Sequence, residues 1–392
     1  MRGRAMHILH ISADFPDPLV PAKTRAVASL LELVAEHAHT VYSLNSVKFA
    51  RGVHALPFGP EGEWRALSFG AWPKGLWLTA SLAMVAEAIL EDVAARGLRP
   101  DAVHAHKLSM EGLVGETVAA RLGVPLIVSS QGNTDTKIIA VRRDLVPRWA
   151  RIWHGAAAVL PFAPWTEAWL SARLGAREGP VYLLPCPTPA DGITPPRAAA
   201  EPLVVTAFNL AFYGNKNALA LMEAASRTAR ALPGLTLEII GGGDAAAFHR
   251  LSEAATGAGP ARVRLPGPAA HGTIQARFNA AGAFALASHR ESFGLVFVEA
   301  LLAGCPIVHT AGMGFDGYLE DGEVSLRVPS RDTGAIAEAM TRILREEAGF
   351  KARLAALQES GGLARFRRDA IADTYRAALA AALPAGPSVQ AG

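Results

Sequence analysis

With 392 residues, 51% of them apolar and 19% charged, the chain is long for a single core and too apolar for a disordered protein; two domains of roughly 150 residues each are expected. A formal net charge of +3 is too small to argue for a nucleic-acid partner, while a pI near 9.0 leaves room for anionic ligands or a membrane surface. The two cysteines, Cys186 and Cys305, exclude a disulfide framework and a cysteine-ligated zinc site, and they suit a reducing compartment.

The amino terminus, Met1-Arg2-Gly3-Arg4, is basic, but the apolar run from Met6 to Ile11 is too short for the core of a signal peptide and is soon followed by Asp14. It reads as a first strand, residues 6–12, followed by a loop and a helix over residues 26–37. Lys23, Thr24 and Arg25 stand where that helix opens. They are candidates to bind a phosphate or an acidic acceptor sugar, with a capped helix and solvated charges as the equal alternative. Residues 45–75 show no clear period. Within Trp72-Pro73-Lys74-Gly75-Leu76-Trp77 the aromatics read as buried, against the alternative of a membrane interface. The longest apolar stretch, residues 77–90, contains Glu87 and falls short of the roughly 20 residues a bilayer span requires. A cytoplasmic location follows, with peripheral contact at the inner face of the membrane left open.

Residues 100–106 read as a strand carrying His106 at its carboxyl end, where ligands collect in open α/β sheets. A helix over 111–122 and a strand over 126–130 follow, and Gln131-Gly132 come next. Residues 141–153 interleave four arginines with two tryptophans. Such a helix either faces anionic lipid or, the favoured reading, tucks its tryptophans inward while the arginines snorkel out. Between Pro185 and Pro202 six prolines and no apolar period mark a linker.

A second strand-and-helix series then begins: a strand at 203–208, the loop 209–217 with Asn209 and Lys216-Asn217, a helix at 218–232 and a strand at 235–240. Gly241-Gly242-Gly243-Asp244 follows. That glycine run alone would suggest a dinucleotide, yet it lacks the fingerprint spacing and follows the second strand rather than the first, so a nicotinamide dehydrogenase is a weak rival. After residues 263–268, with Gly267 in the turn, and a helix over 273–281 comes the most informative stretch. An apolar strand (283–287) leads through Ser288-His289-Arg290-Glu291-Ser292-Phe293-Gly294 into a helix from Leu295 to Gly304, and on to Pro306-Ile307-Val308, a βαβ unit. The opening helix presents free N–H groups and the positive end of its dipole to an anion. Glu299, one turn in, is placed to accept two hydrogen bonds from a vicinal diol. Residues 321–329 read as a hairpin, residues 333–383 as closing helices, and residues 384–392 as a disordered tail.

Glu291-Ser292-Phe293-Gly294-Leu295 followed by Glu299-Ala300-Leu301-Leu302-Ala303-Gly304, together with Lys216-Asn217 and His104-Ala105-His106, resembles the retaining GT-B glycosyltransferases of glycosyltransferase family 4. The resemblance covers nearly the whole chain and is specific from about residue 203 to 329. It implies an α/β GT-B fold of two Rossmann-like domains facing each other across a cleft. The acceptor domain would span 1–184, the linker 185–202 and the donor domain 203–370, with a closing helix at 371–383 returning to the first domain. It also implies residue roles. Glu291 faces the donor sugar, Glu299 holds the ribose, and the loop of Ser292, Phe293, Gly294 and Leu295 meets the diphosphate. Lys216 bears on that diphosphate as a point charge, Gly241 and Gly267 lie beside the nucleotide, and His106 stands near the reaction centre. Gln131 and Gly132 occupy the acceptor-domain pattern.

Three departures stand out. The first loop lacks the usual glycine pair, Gln131 replaces a basic residue, and Asn209 stands nearest to where an arginine is usual, leaving Arg290 or an arginine of the first domain to complete the diphosphate site. The chain has no Asp-x-Asp, the usual way of offering carboxylates to a metal-bound nucleotide sugar. The resemblance therefore implies a metal-independent hexosyltransferase with no cofactor, the nucleotide-diphosphate sugar being its donor substrate. Its partners would be that sugar and a saccharide or lipid-linked acceptor, in polysaccharide or glycolipid biosynthesis, with no nucleic acid. A GT-B nucleotide-sugar epimerase and a catalytically degenerate GT-B nucleotide-binding protein are the alternatives.

Overall fold

The computed structural model describes residues 5–72, 77–257 and 259–383. Two compact units emerge, the first made of residues up to 162, 166–187 and those from 368 on, the second of 163–165 and 188–367.

In chain order the first unit contains β1 (His7–Ser12), α1 (Ala26–Leu33), β2 (Ala38–Lys48), β3 (Val53–Phe58), β4 (Trp64–Ala71), α2 (Leu78–Ala95), β5 (Ala102–Ala105), α3 (Glu111–Leu122), β6 (Leu126–Ser130), α4 (Asn133–Val141), α5 (Val146–Gly155), β7 (Ala158–Pro161) and most of α6 (Pro164–Leu174). The seven strands lie in the order β3-β4-β2-β1-β5-β6-β7, and only β3 runs antiparallel to its neighbour. The sheet is buried on both faces, as continuous apolar strands require. Leu9 and Ile11 join a core with α2, α3, α5 and α6, while Ile8 points the other way.

The second unit contains β8 (Leu203–Ala207), α7 (Ala218–Ala231), β9 (Thr236–Ile240), α8 (Ala245–Thr256), β10 (Arg262–Gly267), α9 (His271–Ala280), β11 (Ala283–Leu286), α10 (Leu295–Leu302), β12 (Ile307–Thr310), β13 (Ser325–Val328), α11 (Thr333–Arg345) and α12 (Glu347–Glu359). Its six strands, all parallel, follow the order β10-β9-β8-β11-β12-β13. The last helix, α13 (Arg368–Ala382), belongs to the first unit, where Ile371, Tyr375 and Leu379 pack with Ile8, Leu30 and Ile127 over the second face of that sheet.

Each sheet reverses its strand order once, between β1 and β5 in the first unit and between β8 and β11 in the second. Ligands of open parallel sheets bind outside the carboxyl ends of the strands at such a switch point. Each unit has its candidate residues at its own switch point.

Several sequence expectations need correction. Residues 45–71 contribute to β2, β3 and β4; Pro57 is tolerated because β3 is an edge strand. Trp77 is not buried but 57% exposed, its ring 5.0 Å from that of Trp72; residues 73–76 lie outside the described residues. The arginine-rich stretch is not one helix, since α5 starts at Val146 with Pro147 in its first turn. Its Trp149 and Trp153 are fully buried, and Arg148 and Arg151, the latter exposed, pair with Glu116 of α3 at 2.6 and 3.0 Å, so the tryptophans face inward and the arginines outward. Residues 321–329 form no hairpin: a turn leads into β13, parallel to β12.

Residues 188–202 carry no helix or strand, but they are a strap rather than a loose linker. The Thr194 amide donates to the Leu302 carbonyl (2.8 Å) and the Asn279 side chain to the Pro195 carbonyl (2.9 Å). The tail 384–392 lies outside the described residues.

Candidate active site

In the second unit, two loops meet beyond β8 and β11. The His289 amide donates to the Asn215 carbonyl (2.8 Å), and the Asn215 side chain returns a bond to the Arg290 carbonyl (3.0 Å). Asn217, left-handed at φ 59°, ties its side-chain amide to the Ala287 and Ser330 carbonyls; asparagine tolerates that conformation better than most residues. This stitching brings Lys216 Nζ to 2.6 Å from a Glu291 carboxylate oxygen, which Ser288 Oγ also approaches at 3.3 Å. Gly294 precedes α10 with φ 83°, and a Cβ there would stand 2.4 Å from the Phe297 ring, so the turn admits only glycine. Phe293 is buried edge-on against Tyr318, which anchors the loop. The first amides of α10 have no partner within the helix, and Ser292 is half-buried just before it.

Beside this pair lies a cavity of about 570 Å³, lined by Asn209, Gly241, Gly243, Pro268, Leu295 and Glu299 among others. Gly241 is required because a Cβ would lie 1.9 Å from the Phe208 carbonyl oxygen, where the exit of β8 crosses the exit of β9. Gly267 accepts a bond from the Gly241 amide at 3.0 Å and turns with φ 82°. Asn209 uses its side-chain oxygen to accept from the Ala211 amide at 3.0 Å. Glu299 reaches the cavity from α10, and burial pushes its carboxyl up to about 7. Lys216 and Glu291 stand on the adjoining loops rather than in the cavity wall; Arg290 is exposed on the same loop.

In the first unit, β5 delivers His106 to the switch point, its amide bonded to the Ile11 carbonyl at 3.0 Å. His106 is fully buried, and its Nε2 lies 3.0 Å from Nδ1 of His10. Burial, then the neighbouring His104 imidazole and the Lys107 charge, hold it well below the ordinary histidine range, so it is neutral. A charged network surrounds this corner. Lys107 Nζ meets Asp14 at 2.7 Å and Glu111 at 3.7 Å, and Glu111 also accepts from the Ala13 amide. Burial pushes the Glu111 carboxyl up to about 7 even though Lys107 opposes the shift. Asp135 accepts from the Ser109 amide, the Ser130 hydroxyl and the Gln131 amide, and so fixes the loop holding Gln131 and Gly132.

Lys23 is corrected. Its ammonium is held by Asp17 at 2.8 Å and by Ser43 at 2.9 Å, because a buried carboxylate needs a partner. Burial alone would raise the Asp17 carboxyl, but bonds from Lys23, Ser43 and Asn45 outweigh it and leave it below the usual range. Thr24 accepts from the Ala26 amide, and Arg25 is exposed and paired with Glu32 at 2.7 Å, so these three form no common anion site. Sequence reasoning missed Asp14, Lys107, Glu111 and Asp135. A Lys-x3-Glu spacing at residues 107–111 was the only local signal. His10 and His39 were missed as well.

Residues 201–346 match the family model for glycosyl transferases group 1, and residues 49–187 that for the glycosyl transferase 4-like domain. The chain resembles sucrose-phosphate synthase from Thermosynechococcus elongatus, with a TM-score of 0.70 at 23% identity over 96% of this chain and 100% of that one. It also resembles Anabaena HepE in complex with UDP and glucose, with a TM-score of 0.64 at 16% identity over 96% and 99%. Its two parallel-sheet α/β units are those of the GT-B fold.

A D-inositol 3-phosphate glycosyltransferase of Mycobacterium tuberculosis is 32% identical over 178 residues, 43% of this chain and 37% of that relative's length. The chain therefore covers little more than a third of this curated relative. With both halves matched, it belongs to the group 1, 4-like glycosyltransferases.

Proposed function

We propose that the protein transfers a hexose from a nucleotide-diphosphate sugar to a saccharide or lipid-linked acceptor, with retention of anomeric configuration and without a metal. The observation that carries this reading is the Lys216–Glu291 ion pair at 2.6 Å, set beside the start of α10 and the Glu299 cavity. An incoming diphosphate competes for the Lys216 ammonium and for the α10 amides. Glu291 is then released to accept hydroxyls of the donor sugar, and Glu299 accepts the ribose diol. The bond from the anomeric carbon to phosphate oxygen breaks as the acceptor oxygen bonds to the same face. The acceptor's proton passes to the departing phosphate oxygen. Lys216 and the helix amides stabilise the charge that develops there. HepE has been captured with UDP and glucose and with UDP-glucose, which supports UDP-glucose as the first donor to try.

A lipid-linked acceptor is supported by an exposed aromatic ladder. Phe49 is 60% exposed, its ring 5.6 Å from Trp72, and Trp77 continues the ladder with Lys48 and Arg51 alongside. Flotation with anionic vesicles, reduced by Phe49→Ala, tests that part. A nucleotide-binding protein without turnover is the second reading, favoured by Asn209 in place of the usual arginine.

The deciding experiment is a thermal-shift panel of nucleotide-diphosphate sugars with and without EDTA, followed by product analysis. Stabilisation by one donor, unaffected by EDTA and lost in Glu299→Ala, is expected. Loss of transfer on chelation would overturn metal independence, an inverted product would overturn retention, and donor binding with no transfer to any acceptor would favour the second reading.

A further inference from the structure

A cavity of about 670 Å³ in the first unit lies apart from that unit's switch point. It runs beside α1, with residues of β2, β3 and β4 and the end of α2 around it, and none of Asp14, His106, Lys107, Gln131 and Gly132 lines it. Its volume falls within the range of small-ligand sites, about 300 to 1,000 Å³.

One wall is aromatic and fixed. Val27, Ala28 and Leu31 of α1 pack with Val41, Phe15, Phe58 and Trp64 as a small core separate from the two larger ones of this unit. Trp64 is half-buried, and its Nε1 donates to the His39 carbonyl at 2.9 Å. Phe15 and Phe58 stand edge-on to its ring, with centroids 5.2 and 5.6 Å away. A Cβ at Gly59 would come within 2.6 Å of the indole, so backbone packs closely against that ring. The indole is thus locked before any ligand arrives.

The rim is polar, and its groups are only partly used. Arg25 and Glu32, both exposed, meet through a single contact of 2.7 Å. Arg96 gives one nitrogen to Asp92 at 3.0 Å. Glu63 is exposed, and among the described residues its carboxylate has no hydrogen bond or ion pair. Deeper in, His7 Nε2 and the Thr40 hydroxyl satisfy each other at 2.8 Å.

This lining selects among ligand classes. A fatty chain would leave the rim's planar polar groups against apolar surface without partners. An anion would find both guanidinium groups already paired and the Glu63 charge opposing it. A neutral sugar meets both walls: its C–H faces lie against aromatic rings, and its vicinal hydroxyls donate to carboxylates and accept from guanidinium groups.

We propose that this cavity is a saccharide site, sharing no residue with the candidate transfer site, in which Trp64 and Phe58 carry the apolar face of a neutral sugar and Glu63, Glu32, Arg25 and Arg96 bind its hydroxyls. Nothing in it rests on the transferase reading.

The test is titration of the full-length protein with maltotriose, cellotriose and mannobiose, followed by ¹⁵N NMR of the tryptophan indoles, with the Trp64 signal assigned by Trp64→Phe. At least one of these sugars should move the Trp64 signal saturably, and the shift should persist in Glu291→Ala. Ala35 is an exposed lining residue in the turn after α1; Ala35→Trp puts a large side chain into the cavity and should abolish the saturable shift. Glu63→Ala should weaken binding by about 10-fold, the loss of one charge-assisted hydrogen bond. No saturable shift with any of the three sugars, or a shift that Ala35→Trp leaves unchanged, overturns the site. Tighter binding of inorganic phosphate or of dodecanoate overturns the ligand class. If Ala35→Trp fails to fold, Glu63→Ala decides. If the sugar binds here while transfer to every acceptor fails, the function reading falls and this one stands.

Discussion

At the switch point of the second sheet the ionisable groups stand on loops with water within reach, Lys216 and Glu291 retaining 20% and 12% of their side-chain exposure. At that of the first sheet His10, His104, His106 and Glu111 have none. The contrast is one of energetics as well as place. An ion pair with water within reach can trade partners with an incoming anion. A buried polar network is costly to disturb, because each member that loses its partner keeps its desolvation penalty. The second unit thus holds charges ready for exchange, and the first holds a prearranged set of dipoles.

The largest expected effect tests the exchangeable side. Lys216→Met should lower kcat/KM on the order of 10²- to 10³-fold, about 3 to 4 kcal/mol, by removing a charge from the departing diphosphate. Steady-state kinetics across donor concentrations measure this, and a wild-type value would remove Lys216 from the site.

Glu299, partly exposed in the cavity wall, is the carboxylate of the second site that desolvation shifts. Its carboxyl, raised from about 4.5 to about 7 by burial, is more easily ionised in the unfolded chain, so stability falls as pH rises between those values. Glu299→Gln escapes that loss. Its unfolding free energy in urea should exceed that of wild type by up to about 3 kcal/mol at pH 8 and match it at pH 4. The same variant should bind nucleotide more weakly, since the amide offers a poorer acceptor to the diol.

On the prearranged side, Asp135→Ala leaves the Ser109 and Gln131 amides and the Ser130 hydroxyl without their acceptor. A loss of about 2 kcal/mol in chemical denaturation is expected, with nucleotide affinity unchanged. A matching fall in nucleotide affinity would break the division between the units. The smallest effect belongs to Arg148→Ala, which removes one partly exposed ion pair to Glu116. It should cost no more than about 1 kcal/mol and leave vesicle binding unaltered.

How legible each region was follows the same division. Lys216-Asn217, Glu291, Gly294 and Glu299 fall in two short stretches, and a strand, a glycine turn and a helix suffice to relate them. Helix α3 and strand β6 were readable for a similar reason, since their apolar patterns are local. The antiparallel β3–β4 pair was not, because an edge strand buries too little to impose a period on its sequence and includes Pro57. For Arg148 and Arg151 the sequence favoured arginines that snorkel outward, but it could not name their partner, Glu116, 32 and 35 residues away on α3.

By itself, then, the amino-acid sequence determined two α/β halves, the loop chemistry of the second and the family to which the chain belongs, because apolar periodicity and turn residues act over a few neighbours. Only the tertiary structure decided that Lys23 serves Asp17, that Lys216 and Glu291 are joined, and that His39, His10 and His106 form one hydrogen-bonded file. Those last three residues come from β2, β1 and the end of β5, and parallel pairing that sets His10 beside His104 brings them together. A parallel register joins residues nearly a hundred positions apart, and no short-range pattern encodes it.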